Sequence, residues 1–141
     1  MKKLLALLVI IIIPSIASAQ CKSFVKKHCA PTLENYIPSD KFNSLKMFEG
    51  EEAEMNLVFT AHHDYRVTIC SQEIIGDVYY EVKTESGQTI FTSDEGKSFF
   101  DFSTTSTQVL QVVISVPEGD NPNGIPQAGC VTVMIGSLAS S

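Results

Sequence analysis

The stretch QVLQVVISV, residues 108–116, decides the fold class. Leu110, Val112, Ile114 and Val116 occupy every second position in it. Alternate residues of an extended chain point to opposite faces, so this spacing gathers the apolar groups on one side and predicts a half-buried strand. No other apolar face in the chain is as long, which predicts a central strand covered by Tyr65, Val67, Ile69 and Val133. Moving outward, the period of two recurs. Val131, Val133 and Ile135 follow it, and Phe100 and Phe102 flank Asp101 before it. Further upstream come Met55, Leu57 and Phe59, then Tyr65, Val67 and Ile69, then Val78, Tyr80 and Val82, with residues 88–93 as a short strand. Glu85-Ser86-Gly87 and the run 93–96 read as tight turns, and residues 118–124 as a longer polar loop. Short strands at close spacing with no helix between them predict an all-β fold: an antiparallel β-sandwich or jelly roll of about seven to eight strands.

The opposite end of the chain follows a different rule. Lys2 and Lys3 precede an unbroken apolar run from Leu4 to Ile13, Pro14 ends it, and Ala17-Ser18-Ala19 supplies small residues for cleavage. That order is a secretory signal peptide. Ten apolar residues span only ~15 Å as a helix, about half a bilayer core, so a permanent transmembrane anchor is not expected. Gln20 precedes Cys21 where a lipid-attachment signal places a small residue. The expected organisation is a cleaved signal at 1–19, a helical and irregular segment at 20–50 packing on the sandwich, and the sandwich itself at 51–141. Within the second part, Phe24, Val25 and His28 suggest a short helix ended by Pro31, and residues 38–50 look irregular.

Loss of Lys2 and Lys3 leaves eight basic against sixteen acidic residues. An acidic surface argues against nucleic acid and against charge-driven docking on anionic lipid. The expected location is secreted, periplasmic or at the cell surface. Export also sets the reading of Cys21, Cys29, Cys70 and Cys130 as two disulfides. No close CxxC-type pair is present to suggest zinc. Cys70 and Cys130 share the outward parity of their strands, and facing residues on neighbouring strands are close enough to bridge, which favours Cys70–Cys130. Cys21 and Cys29 would stand about 12 Å apart on one continuous helix, too far to bond. Either that helix breaks or both cysteines reach the sheet.

Residues 48–135 resemble the bacterial pre-peptidase C-terminal domain and related small jelly-roll modules. The resemblance rests on FEGEEAEMNLVFTAHHDYRVTIC, GDVYYEVKTESGQTIFTSDEG, FFDFSTTSTQVLQVVISV and GCVTVMIG. It implies a Gly-Glu entry to the first strand, a strand–turn–strand hairpin, a Phe-rich strand and a last hydrophobic strand. Such modules normally hang on a secreted peptidase, and this chain contains no peptidase. HCAPTLENYIPS adds to the look of a small secreted protein of the Bacteroidetes type.

Candidate chemistry is sparse. His62-His63-Asp64 resembles a metal or base site, but adjacent strand residues face opposite ways, and the cluster sits where a turn is expected. Asp120, Asn121 and Asn123 before Gly124 offer oxygen ligands suited to calcium, although such residues also build ordinary loops. Glu49, Glu51, Glu52 and Glu54 read as a solvated strand entry or as a face for a cation or a basic partner. No Gly-x-Ser-x-Gly elbow is present and no carboxylate pair stands out, so neither an enzyme nor a cofactor is expected. Tyr79 and Phe99 lie on outward parities and are candidates for a binding platform. The expected function is an exported, non-catalytic module for protein interaction. The alternative is a carbohydrate-binding module using those aromatics, with or without calcium.

Overall fold

The computed structural model describes residues 21–39, 42–93 and 98–139, and the side chain of residue 139 is not among what it describes. The expected signal peptide 1–19, Gln20 and most of the expected turn at 93–96 lie outside these residues. Within them the chain forms nine strands: β1 (Ile37–Pro38), β2 (Asn43–Phe48), β3 (Glu52–Phe59), β4 (His63–Ser71), β5 (Tyr79–Thr84), β6 (Thr89–Thr92), β7 (Phe99–Thr104), β8 (Gln108–Ser115) and β9 (Ala128–Ala139). They build two antiparallel sheets. Sheet A runs β1-β9-β4-β7, with β2 also paired to β9, and sheet B runs β3-β8-β5-β6. The chain is therefore an antiparallel β-sandwich.

The inward faces follow the period of two. Leu110, Val112 and Ile114 on β8, with Val116 just beyond it, are buried and face Tyr65 and Val67 of β4 and Val131 and Val133 of β9. Ile69, Val78 and Ile135 pack against the same core. Strand β8 lies between β3 and β5, so both its edges are paired. Aromatic rings stitch the sheets together at the side of the core. Phe59 of β3 meets Tyr65 and Phe102 of sheet A at 4.9 Å between ring centroids in each case. Phe100 of β7 meets Phe91 of β6 at 4.9 Å, and Phe91 meets Tyr80 of β5 at 5.3 Å. Tilted and edge-on rings at these separations add to plain area burial.

The turns form where the polar residues cluster. Gly87 has φ +88°, which a residue with a Cβ rarely adopts, and it closes the β5–β6 hairpin with the Gly87 amide on the Thr84 carbonyl. Residues 43–48, expected to be irregular, instead form β2 on the edge of sheet A. Met47 is the one fully buried side chain of that strand, so it carries no alternating signal. Edge strands gain their pairing from backbone bonds to a neighbour, here β9, and need no apolar face.

This packing fixes the effect of core truncation. Ile114→Ala removes a side chain that is 0 % exposed at the sandwich centre and should cost about 2–5 kcal/mol in urea melts. Val58→Ala, on a side chain that is 67 % exposed, should cost under about 0.5 kcal/mol. Equal losses at the two positions would contradict the assigned register of β3 and β8.

Candidate functional site

The two outer faces of the sandwich differ. That of sheet A carries Arg66, Thr68 and Cys70 on β4, Asp101 on β7, and Cys130, Thr132, Met134 and Gly136 on β9. Thr68 and Thr132 on it are almost fully buried, because residues 21–33 lie across it as a roof. The roof begins as one α turn, widens into a π turn at Val25–Cys29 and tightens into a 3-10 turn at Ala30–Leu33. Cys21, Val25, Cys29 and Leu33 recur every four residues, and all are buried. A four-residue repeat overshoots a 3.6-residue turn, and the wider π turn corrects the drift, so the stripe stays on one side. Pro31 has no amide hydrogen to continue the ladder.

Close fit is secured in three ways. At Gly136, an added Cβ would stand 2.6 Å from the Tyr36 Cβ and 3.1 Å from Leu33. Only glycine lets the exit of the roof lie on β9 there. Cys21 is bonded to Cys130, with Cα atoms 5.6 Å apart. Arg66 forms the third fastening. Its side chain is 7 % exposed, and it donates from Nε and Nη2 to the two carboxylate oxygens of Asp101, each at 2.8 Å. From Nη1 it reaches Glu34 at 3.1 Å and the Thr32 carbonyl at 3.2 Å. The guanidinium lies 3.9 Å from the Phe99 ring centroid and 4.8 Å from that of Tyr36. A buried guanidinium needs its donors satisfied, and the planar fork with aromatic stacking does so.

The Cys70–Cys130 pairing is corrected by this arrangement. Both residues do point to the outer face of sheet A, as their parity implies. In the register, however, Cys70 faces Thr132 and Ser71 faces Val131, which leaves Cys130 beyond the paired end of β4. Diagonal positions of that kind stand about 7–8 Å apart, outside disulfide reach. Cys130 bonds the roof at Cys21 instead, so the first cysteine does reach the sheet. Cys29 is fully buried, and Cys70 packs against it.

Sheet B shows the reverse condition. Its outward side chains form cross-strand rows: Glu52, Ser115 and Tyr79; Glu54, Val113, Glu81 and Thr92; Asn56, Gln111, Lys83 and Thr89. Glu52, Glu54, Asn56, Val58 and Tyr79 are exposed. Three carboxylates share the face with one ammonium, Lys83, which pairs with Glu81 at 3.4 Å. Gln111 donates to Glu54, and Ser115 to Glu52, both at 3.2 Å.

The remaining candidates take separate places. Tyr79 lies on sheet B and Phe99 on sheet A, where Phe99 stacks on Arg66, so the two do not form one platform. His62 stands in the β3–β4 turn with φ +61°, and His63 Nδ1 lies 2.9 Å from the Ala61 carbonyl. Asp120, Asn121 and Asn123 lie in the loop between β8 and β9. The Asn121 amide donates to Glu49, which also accepts the Gln127 amide at 2.8 Å. Glu49 thus leaves the acidic run and anchors this loop, while Glu51 accepts the Phe48 amide at 2.9 Å in the β2–β3 turn. Among the described residues no group of three or more His, Cys, Asp or Glu is gathered as a metal cluster. No helix among them is long and apolar enough to cross a membrane.

Sequence reasoning passed over Arg66, Asp101 and the four-residue stripe. Disulfide chemistry is the first reading of a cysteine in an exported chain, and it hides the apolar pattern Cys21-Val25-Cys29-Leu33. Arg66 and Asp101 share outward parity, but their contact depends on the β4–β7 register, which pairs them directly. The knot should therefore respond unequally to its two halves. Asp101→Ala strands a buried guanidinium and should cost about 2–3 kcal/mol, whereas Arg66→Met keeps the packing length and should cost less. Chemical denaturation of the two variants checks the order, and a larger loss for Arg66→Met would contradict it.

No family model matches the chain, and no curated protein matches it in sequence. Among solved structures, the fold is similar to Aeromonas hydrophila PliG, a periplasmic lysozyme inhibitor of g-type lysozyme. The TM-score is 0.52 at 8% identity, covering 74% of this chain and 90% of that one. The two share a fold.

Proposed function

We propose that the chain is an exported, non-catalytic protein-binding module that presents the outer face of sheet B to a basic partner. The observation that carries this reading is the asymmetry of the sandwich. One outer face is roofed, disulfide-bonded and spent on internal contacts. The other, among the described residues, is open, paired across four strands and acidic at Glu52, Glu54 and Glu81. Opposite charge on a partner steers encounter and fixes register. The similar solved structure belongs to a protein inhibitor, which supports protein recognition by a sandwich of this kind without a catalytic centre. The basic start, apolar run and small-residue cleavage signal before Gln20 support export, and the Cys21–Cys130 bond is the kind that persists in an oxidising compartment. Secretion or a periplasmic location follows from the same features.

The test is binding of the mature protein to a panel of basic and acidic proteins that includes a g-type lysozyme, read by calorimetry at two salt concentrations. At least one basic protein should bind, more weakly at high salt because exposed charges are screened. The double variant Glu54→Lys with Glu81→Lys should weaken it by about tenfold or more, with an unchanged melting temperature. Affinity unmoved by that reversal would overturn the assigned face. A glycan bound with every protein rejected would overturn the protein-binding reading.

A further inference from the structure

Two cysteines lie outside the Cys21–Cys130 bond, and they meet under the roof. Cys29 ends the π turn with no exposure, within the cluster of Val25, Leu33 and Met134. Cys70, on the outer face of β4, packs against that cluster and is partly open to solvent. The two side chains are close enough to perturb each other's titration. The groove at this end of the roof is lined by Phe24, His28, Cys70 and Ile74, so a small reagent reaches Cys70 from solvent while Cys29 stays covered. We propose that Cys29 and Cys70 are a dithiol that closes into a second disulfide in the exported protein, fixing the roof to β4 as Cys21 fixes it to β9.

The chemistry is thiol–disulfide exchange with an external disulfide as oxidant. The Cys70 sulfur attacks one sulfur of that disulfide and expels the other as a thiol, leaving a mixed disulfide on Cys70. The Cys29 sulfur then displaces the second thiol, which takes the Cys29 proton. Two cysteine thiols lose two electrons and two protons, and the external disulfide gains them as two thiols. The order of attack agrees with the environment. Interaction with the neighbouring Cys29 thiol holds the Cys70 thiol below its ordinary pKa, whereas the same interaction and burial push Cys29 up. The closed loop of about 40 residues favours the folded state by on the order of a hundredfold or more on the chain-entropy model.

Trypsin sites at Lys22, Lys27, Lys41, Arg66, Lys83 and Lys97 put the four cysteines on four peptides. The exported protein, denatured in N-ethylmaleimide without reductant and then digested, should yield peptide 28–41 linked to 67–83, with no maleimide on either. Maleimide on both Cys29 and Cys70, or a link from either to Cys21 or Cys130, would overturn the proposal. A second arm tests the order of attack. Protein with the Cys29–Cys70 pair reduced should release two equivalents of thionitrobenzoate from an aromatic disulfide probe and keep no adduct. Cys29→Ala should release one and hold the adduct on Cys70. An adduct retained on Cys70 in the unmutated protein would show that Cys29 does not close the bond.

Discussion

The roof of residues 21–33 on β4 and β9 is the contact on which the rest of this molecule depends. Without it, sheet A would expose Thr68, Thr132, Met134 and the Arg66 guanidinium, which would keep only its partners on β7, on a broad face. With it, sheet A becomes an inner layer with apolar groups on both sides. Val25, Cys29 and Leu33 supply the burial, Gly136 the close approach, and Arg66 the polar match. The Cys21–Cys130 bond holds the first turn of the roof, which is too short to persist as a helix on its own.

Satisfying the buried polar groups shapes this interface as much as apolar packing does. Thr132 Oγ1 lies 2.8 Å from Ser44 Oγ, and Thr68 donates to the Ser98 carbonyl at 3.1 Å. Arg66 is placed so that two carboxylates, one carbonyl and two rings surround it. Among the described residues no buried side-chain nitrogen or oxygen lacks a partner. This is the condition under which a charged residue can sit beneath a roof at little cost. The division of labour between the sheets follows. Sheet A spends its outward side chains on the roof, and sheet B keeps its own for solvent and for whatever docks there.

Much of the sandwich was legible in the sequence, because a strand with one buried face records that face at every second residue. Leu110, Val112, Ile114 and Val116 point inward as their spacing implies, and so do Tyr65 and Val67. What was not legible depended on register or on backbone alone. Cys70 and Cys130 share the outward parity that their spacing implies, yet a two-residue offset between β4 and β9 separates them. Strand β2 buries only Met47 and pairs through its backbone, so its side chains carry no period. The acidic run from Glu49 to Glu54 looked uniform but divides among a loop anchor, a turn and the open face of sheet B. The pairing of Arg66 with Asp101 is written in parity but becomes visible only once β7 is placed beside β4.

Residue-resolved hydrogen exchange of the native protein tests the central claim most directly. If the roof is an integral layer of the sandwich, the amides of Cys29 and Leu33 exchange only with the global unfolding that exposes Val67 and Val133. Exchange at Cys29 and Leu33 faster by several orders of magnitude than at Val67 and Val133 would contradict it, showing a roof that lifts while the sandwich stays folded.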